Sequence, residues 1–330
     1  MTKAAHTEER SRADAATASV GAASNRNGRQ TIAKDTIAAI ERGSYLTYNI
    51  RDKVQYTNQH TEYYAPDSLL STWSTATPPS GTRGKISLVE VSTLVAAKNL
   101  LDSLTQSPKP KVGVLNFASA KNAGGGFLGG SRAQEESLAR SSTLYPSLTT
   151  EIASPYYKTH RRDPRSGLYS HAMVYSPSVT FIRNDEGEWV EPWDADILTS
   201  PAVNAGVAQR KPEVGAQVED VMRERMSRIL FLFERKGIRH IVLGSFGTGA
   251  FRNDVGMVAR IWAELLMEKR GRFQTSFENV VFAILGRETF HGVEHPEEET
   301  VLHDRDGMQD MQVQIYSKLR AYCLPSDFKE

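Results

Sequence analysis

The chain has 330 residues, 39% hydrophobic and 24% charged, which is enough apolar material for one large globular domain or two modest ones. Forty Lys and Arg against 39 Asp and Glu leave a formal charge of +1, so nothing in the overall balance attracts duplex nucleic acid or an anionic membrane, and any anion must be met by a local site. The single cysteine, Cys323, excludes an internal disulfide framework and a multi-cysteine zinc site, and no motif around it supports a nucleophile.

Residues 1–28 are rich in Ala, Ser, Thr and charge with almost no large apolar side chain, the signature of a disordered tail. They lack the apolar core of a secretory signal, and no run in the chain approaches the roughly 18–20 apolar residues of a membrane span. The expected setting is therefore intracellular, cytoplasmic or nuclear, and residues 29–330 are expected to form one domain with an N-terminal helical extension. That extension is a helix from Arg29, carrying Ile32, Ile37 and Ile40 and stopping at Gly43. From there to Gly84 the sequence is polar and turn-rich and reads as loop with one or two short elements.

From Lys85 strands and helices alternate. "KISLVEV" reads as a strand, "STLVAAKNLLDSL" as a helix capped by Ser92 or Thr93, and "KVGVLNFAS" as a buried strand. A glycine-rich loop follows and leads into the helical "SRAQEESLARSSTLY"; then "AMVYSP", "VTFIRND" and "ADILTSPAVNAG" read as three short strands. The clearest helix is "AQVEDVMRERMSRILFLFERKG", with Val218, Val221, Met222, Met226, Ile229, Leu230 and Phe233 on one face. "HIVLGSF", the helix "DVGMVARIWAELLMEK" and "NVVFAILG" complete the pattern, with a loop from about Arg287 and a last helix near Asp310 to Tyr322. Fully apolar strands alternating with helices imply a sheet buried on both faces, hence a three-layer α/β/α domain with much parallel pairing.

In such a sheet, ligands bind beyond the carboxyl ends of the strands. Two glycine loops lie there, "ASAKNAGGGFLGGSRAQEE" and "GSFGTGAFRND". Bare backbone can approach a ligand closely and turn its N–H groups inward as an anion cradle, and helix N-termini add a favourable field. Neither loop has the spacing of a P-loop or of the dinucleotide fingerprint, which argues against a P-loop kinase and a standard nicotinamide dehydrogenase. Glu135 and Glu136 fall in the first turn of the helix after the first loop, projecting about 100° apart, so one can address a bond while the other holds a neighbouring group. Plain helix capping is the competing explanation of such a pair.

"GGGFLGGSRAQEE" resembles the signature of poly(ADP-ribose) glycohydrolases: three glycines, a spacer, here the seven residues Phe127 to Ala133, then Gln-Glu-Glu. The flanking "VLNFAS", "SLARSSTLYPSL", "YSPSVTFIRND", "ILTSPAVNAG" and "LGSFGTGAFRND" resemble the shorter microbial and fungal branch, over roughly Arg29 to Leu285. The resemblance implies a macrodomain with a mixed, largely parallel sheet, and hydrolysis of ribose–ribose O-glycosidic bonds in poly(ADP-ribose), mainly from chain ends, with release of ADP-ribose. Poly-ADP-ribosylated proteins are the implied partners, and no metal or cofactor is implied. Carried over by position, Glu136 is the catalytic acid/base, Glu135 binds hydroxyls of the ribose at the cleavage point, and Gln134 fixes the loop. Gly124, Gly125 and Gly126 let backbone approach the diphosphate and terminal ribose. Gly247, Thr248, Gly249 and Ala250 form a second phosphate loop, Phe251 orients a ribose, and Asn116 and Asn122 are polar contacts. Two alternatives stay open: a non-catalytic ADP-ribose reader, against which the intact glutamate pair argues, and a hydrolase of mono-ADP-ribosylated substrates. His160 and His171 have no partnered motif and read as structural or exposed. The basic "KTHRRDPRSG" reads as a solvated surface turn, with a contact for the polyanionic polymer as the alternative.

Overall fold

The computed structural model describes residues 25–162, 166–268 and 271–285; residues 1–24 of the expected N-terminal tail, the C-terminal loop and helix, and Cys323 lie outside these. The first helix, α1 (Arg26–Arg42), begins three residues before the predicted start, because the Asn25 side chain accepts from Gly28 N–H and caps it. It ends at Gly43, whose φ of 77° lets the last carbonyls be satisfied. The stretch to Gly84 is more ordered than its polarity implies. It holds the two-stranded hairpin β1 (Ser44–Tyr45) and β2 (Tyr48–Asn49), the helix α2 (Arg51–Gln59), the edge strand β3 (Glu62–Tyr64) and a 3-10 turn. Its order comes from tertiary packing, with Tyr45, Ile50 and Ile182 buried together.

The remaining elements are β4 (Lys85–Val89), α3 (Thr93–Ser103), β5 (Val112–Phe117), α4 (Gln134–Ser141), α5 (Leu144–Leu148), α6 (Ser154–Arg161), β6 (Met173–Arg183), β7 (Trp189–Ser200), α7 (Ala205–Ala208), α8 (Pro212–Gly215), α9 (Val218–Arg235), β8 (His240–Leu243), α10 (Val255–Leu266) and β9 (Asn279–Ala283). The cap of α3 is Ser92, whose hydroxyl accepts from Val95 N–H. "AMVYSP" and "VTFIRND" are one strand rather than two. β6 passes through Pro177 by a bulge at Ser178, where φ is 51° and the Asp196 carboxylate takes the freed Ser178 N–H at 2.8 Å. "SRAQEESLARSSTLY" is two helices, α4 and α5, parted at Ser142 and Thr143, and Thr143 N–H donates to Thr180 O at the edge of β6.

Seven strands form one mixed sheet in the order β3-β6-β7-β5-β8-β9-β4. The pairings from β7 through β5, β8 and β9 to β4 are parallel; β6 runs antiparallel to both its neighbours. Strand alternation divides the core. Leu115, Leu198, Ile241, Leu243, Val280 and Phe282 pack with α9 and α10, whereas Val112, Val114, Ile197, Val242 and Val281 pack with α3 to α6. Burying a side chain such as Ile229 or Phe233 of α9 contributes about 1.5–3 kcal/mol. The three layers are therefore helix, sheet and helix, as the apolar strands imply. β5 and β8 are adjacent and parallel, so both glycine loops emerge at the same end of the sheet.

Candidate active site

The first loop leaves β5 at Ala118, whose N–H donates to Ser200 O, and returns to the sheet at α4. Gln134 ties the two ends together: its side-chain oxygen accepts from Phe117 N–H and its nitrogen donates to Leu115 O, both at 2.8 Å. One amide thus stands in for a neighbouring strand just where β5 has passed the end of its pairing with β8, and it sets where the two following glutamates lie.

Glu135 is buried, 2% exposed, with Ser119 N–H donating to Oε2 at 2.6 Å. Asn116, fully buried in β5, directs Nδ2 toward Glu135 Oε1 at 3.5 Å and donates to Thr199 Oγ1 at 3.2 Å. Burial pushes the Glu135 carboxyl up to about 8, and the Glu136 charge beside it acts in the same sense, against the lowering by Ser119 N–H and Asn116. Glu136 is half-buried and turned to the loop instead, with Gly126 N–H donating to Oε1 at 2.9 Å. Gly124 and Gly125 have φ of 66° and 59°. A Cβ on Gly125 would lie 2.3 Å from Glu136 Oε1 and 3.0 Å from Glu135 Oε2, so only glycine lets the backbone pass this close to both carboxylates.

The second loop follows β8. Thr248 is buried and donates from its hydroxyl to Ser245 O at 3.0 Å, while Gly249 and Ala250 form an exposed tip. Asn253 holds the loop closed, its amide donating to Gly247 O at 2.9 Å and Val203 O at 2.7 Å. Phe251 is half-buried, its ring 6.1 Å from that of Tyr169, and its carbonyl accepts from Gly206 N–H. Below the surface the end of β5 meets the second loop, where the Phe117 and Phe246 rings lie 5.8 Å apart.

A family model described as microbial-type PARG, catalytic domain, matches residues 33–184. The crystal structure of poly(ADP-ribose) glycohydrolase from Thermomonospora curvata is 33% identical with a TM-score of 0.75, over 89% of this chain and 100% of that one. The chain belongs to the poly(ADP-ribose) glycohydrolase family. It is thus a glycosidase, and its three layers are the family's macrodomain fold. The Thermomonospora protein bound to the inhibitor ADP-HPD is 36% identical, TM-score 0.71, over 79% of this chain and 95% of that one. The Deinococcus radiodurans glycohydrolase in complex with ADP-ribose is 36% identical, TM-score 0.66, over 82% and 96%. A comparison with curated proteins gave no match.

All the residues singled out by resemblance to the glycohydrolases lie on the two loops or the elements that carry them. Asn122 is the least engaged with the carboxylates. It sits exposed on the first loop, where Ser119 Oγ accepts its N–H at 3.1 Å and its carbonyl accepts from Gly125 N–H at 3.0 Å, so it shapes the turn. Three residues went unmarked in the sequence reading. Asn253 is one. Arg225, on α9, is another: its guanidinium, fully buried, donates to the carbonyls of Pro201, Leu168 and Tyr169. Tyr169 is the third, held at φ 54° between the rings of His160 and Phe251. Their signal was weak because Arg225 reads as an ordinary polar position on an amphipathic helix, and Tyr169 follows a loop with no periodicity. His160 is buried, hydrogen-bonded with Ser170 Oγ at 2.8 Å and packed edge-on to Tyr156, a structural histidine. Among the described residues, no group of three or more His, Cys, Asp or Glu side chains is placed to hold a metal ion.

Proposed function

We propose that this chain releases ADP-ribose from the ends of poly(ADP-ribose) chains, with Glu136 as the group that moves the proton. Cleaving a ribose–ribose O-glycosidic bond passes through an oxocarbenium-like state that needs a proton on the leaving oxygen and then an activated water. In the first half, Glu136 donates its proton to the leaving oxygen as the C–O bond breaks. In the second, the resulting carboxylate takes a proton from the water that attacks the anomeric carbon. Glu135, protonated at neutral pH by its burial, offers an O–H to a ribose oxygen while adding no second negative charge beside the diphosphate. The backbone of Gly124 to Gly126 and of the second loop, Gly247 to Ala250, serves the diphosphate, and Phe251 with Tyr169 provides aromatic surface for the ribose and base.

The observation that carries this reading is the division between two consecutive glutamates: Glu135 is buried and anchored to Ser119 N–H, and Glu136 is turned to the glycine loop at Gly126 N–H. The test is Glu136→Gln, which keeps size and the Gly126 contact but cannot deliver a proton. Turnover of poly(ADP-ribose) should be abolished while ADP-ribose still binds in calorimetry; retained turnover would refute the assignment.

A further inference from the structure

Three successive carbonyls on the far side of the catalytic loop are each taken by a side-chain donor. Gly129 O accepts from Arg26 Nε at 3.0 Å and Gln30 Nε2 at 3.1 Å, and Gly130 O accepts from Arg29 Nε at 2.7 Å. Ser131 O accepts from the Arg140 guanidinium of α4. Arg26, Arg29 and Gln30 all lie in the first turns of α1, ahead of the residues 33–184 that the family model matches. The approach is close at the backbone too. Gly130 has φ 78°, and a Cβ there would stand 2.4 Å from Arg26 O. Beneath it, Phe127 is buried with Ala33 and Ala139, and Thr36 Oγ1 donates to Arg140 O at 2.8 Å, so α1 braces both the loop and the helix that bears the glutamates.

This grip reaches the reacting carboxylate in two short steps. Gly126 O accepts from Gly129 N–H at 2.9 Å and Ser131 N–H at 3.2 Å, within the turn that α1 holds, and Gly126 N–H is the donor to Glu136. We propose that α1 is a working part of the active site, and that Arg29 is a positioning residue which, with Arg26 and Gln30, fixes the Phe127–Ser131 turn and through it the Gly126–Glu136 contact. The proposal rests on Glu136 as the reacting group. A loop released from α1 still offers its glycine backbone to the diphosphate, but the Glu136 carboxyl loses its fixed donor, so the chemical step suffers more than binding.

The test compares the full chain with Arg29→Ala and Arg29→Lys, reading kcat and KM on poly(ADP-ribose), ADP-ribose affinity and melting temperature. Arg29→Ala should lower kcat by about tenfold or more, since a displacement on the order of 1 Å at a catalytic group costs up to roughly a hundredfold. KM and ADP-ribose affinity should stay within about threefold of the parent. Arg29→Lys, whose ammonium can still donate to Gly130 O, should recover most of the loss. Gly130→Ala, which pushes the turn off α1 with every α1 side chain in place, should show the same split and serves if Arg29→Ala fails to fold. A kcat unchanged in these variants, or a fall in kcat matched by equal losses of affinity and melting temperature without rescue by lysine, overturns the proposal. Glu136→Gln separates the two readings: if it is inactive while Arg29→Ala and Gly130→Ala are fully active, the role of α1 fails and that of Glu136 stands.

Discussion

Glu135 places a titratable penalty inside the fold, and its removal should be measurable. Burial raises its pKa from the ordinary 4.5 to about 8. Below the lower value the carboxyl is neutral in both folded and unfolded chains. Between the two, the unfolded chain releases the proton and the folded chain keeps it, so stability falls as pH rises, by about 1.4 kcal/mol per pH unit. Above the upper value the full penalty is present. Over that window of about 3.5 units it has a ceiling of about 5 kcal/mol. Glu135→Gln stays neutral throughout, preserves the volume, and keeps an oxygen to accept from Ser119 N–H. The stability of this variant relative to the parent should therefore be small at about pH 5 and grow by several kcal/mol in the variant's favour by about pH 8.5. Urea denaturation of both proteins at the two pH values reads the difference, and groups common to both, such as the buried Asp185 and His171, cancel. A difference that does not change with pH would refute the reasoning, because it would mean that Glu135 is ionised in the folded state.

Gly125→Ala should lower activity by about a hundredfold, since its Cβ must displace the Glu136 carboxylate, with a stability loss of only about 1–3 kcal/mol from the φ of 59°; kinetics and thermal melting check both, and near-parental activity would contradict the geometry. Arg225→Met leaves the carbonyls of Pro201, Leu168 and Tyr169 without their donor and should cost about 2–4 kcal/mol. Because those carbonyls hold Tyr169 against Phe251, ADP-ribose affinity should fall with stability, as titration calorimetry and urea denaturation would show.

The parallel core of the fold was legible because its strands are apolar throughout and its helices periodic, as "HIVL" and the face of α9 illustrate. Misreadings came where a tertiary partner overrode a local signal. Pro177 and Ser178 read as a break between strands, but the Asp196 carboxylate across the hairpin satisfies the bulge and lets β6 continue. Asn25 and Gly28 read as disordered tail, although Asn25 caps a helix whose value lies in its packing against the catalytic loop.

The family, the alternating architecture and the two glycine loops are legible in the chain alone, because they depend on residue type and spacing along it. How the glutamates differ depends on contacts that the fold alone brings about. Neighbours on one helix turn, they are separated chemically by Ser119, Asn116 and burial on one side and by Gly126 on the other. The Arg225 clasp and the α1 brace belong to the same class. In each, a donor meets a carbonyl more than fifty residues away or from another layer, because a backbone group shut off from water must find a partner wherever the fold brings one.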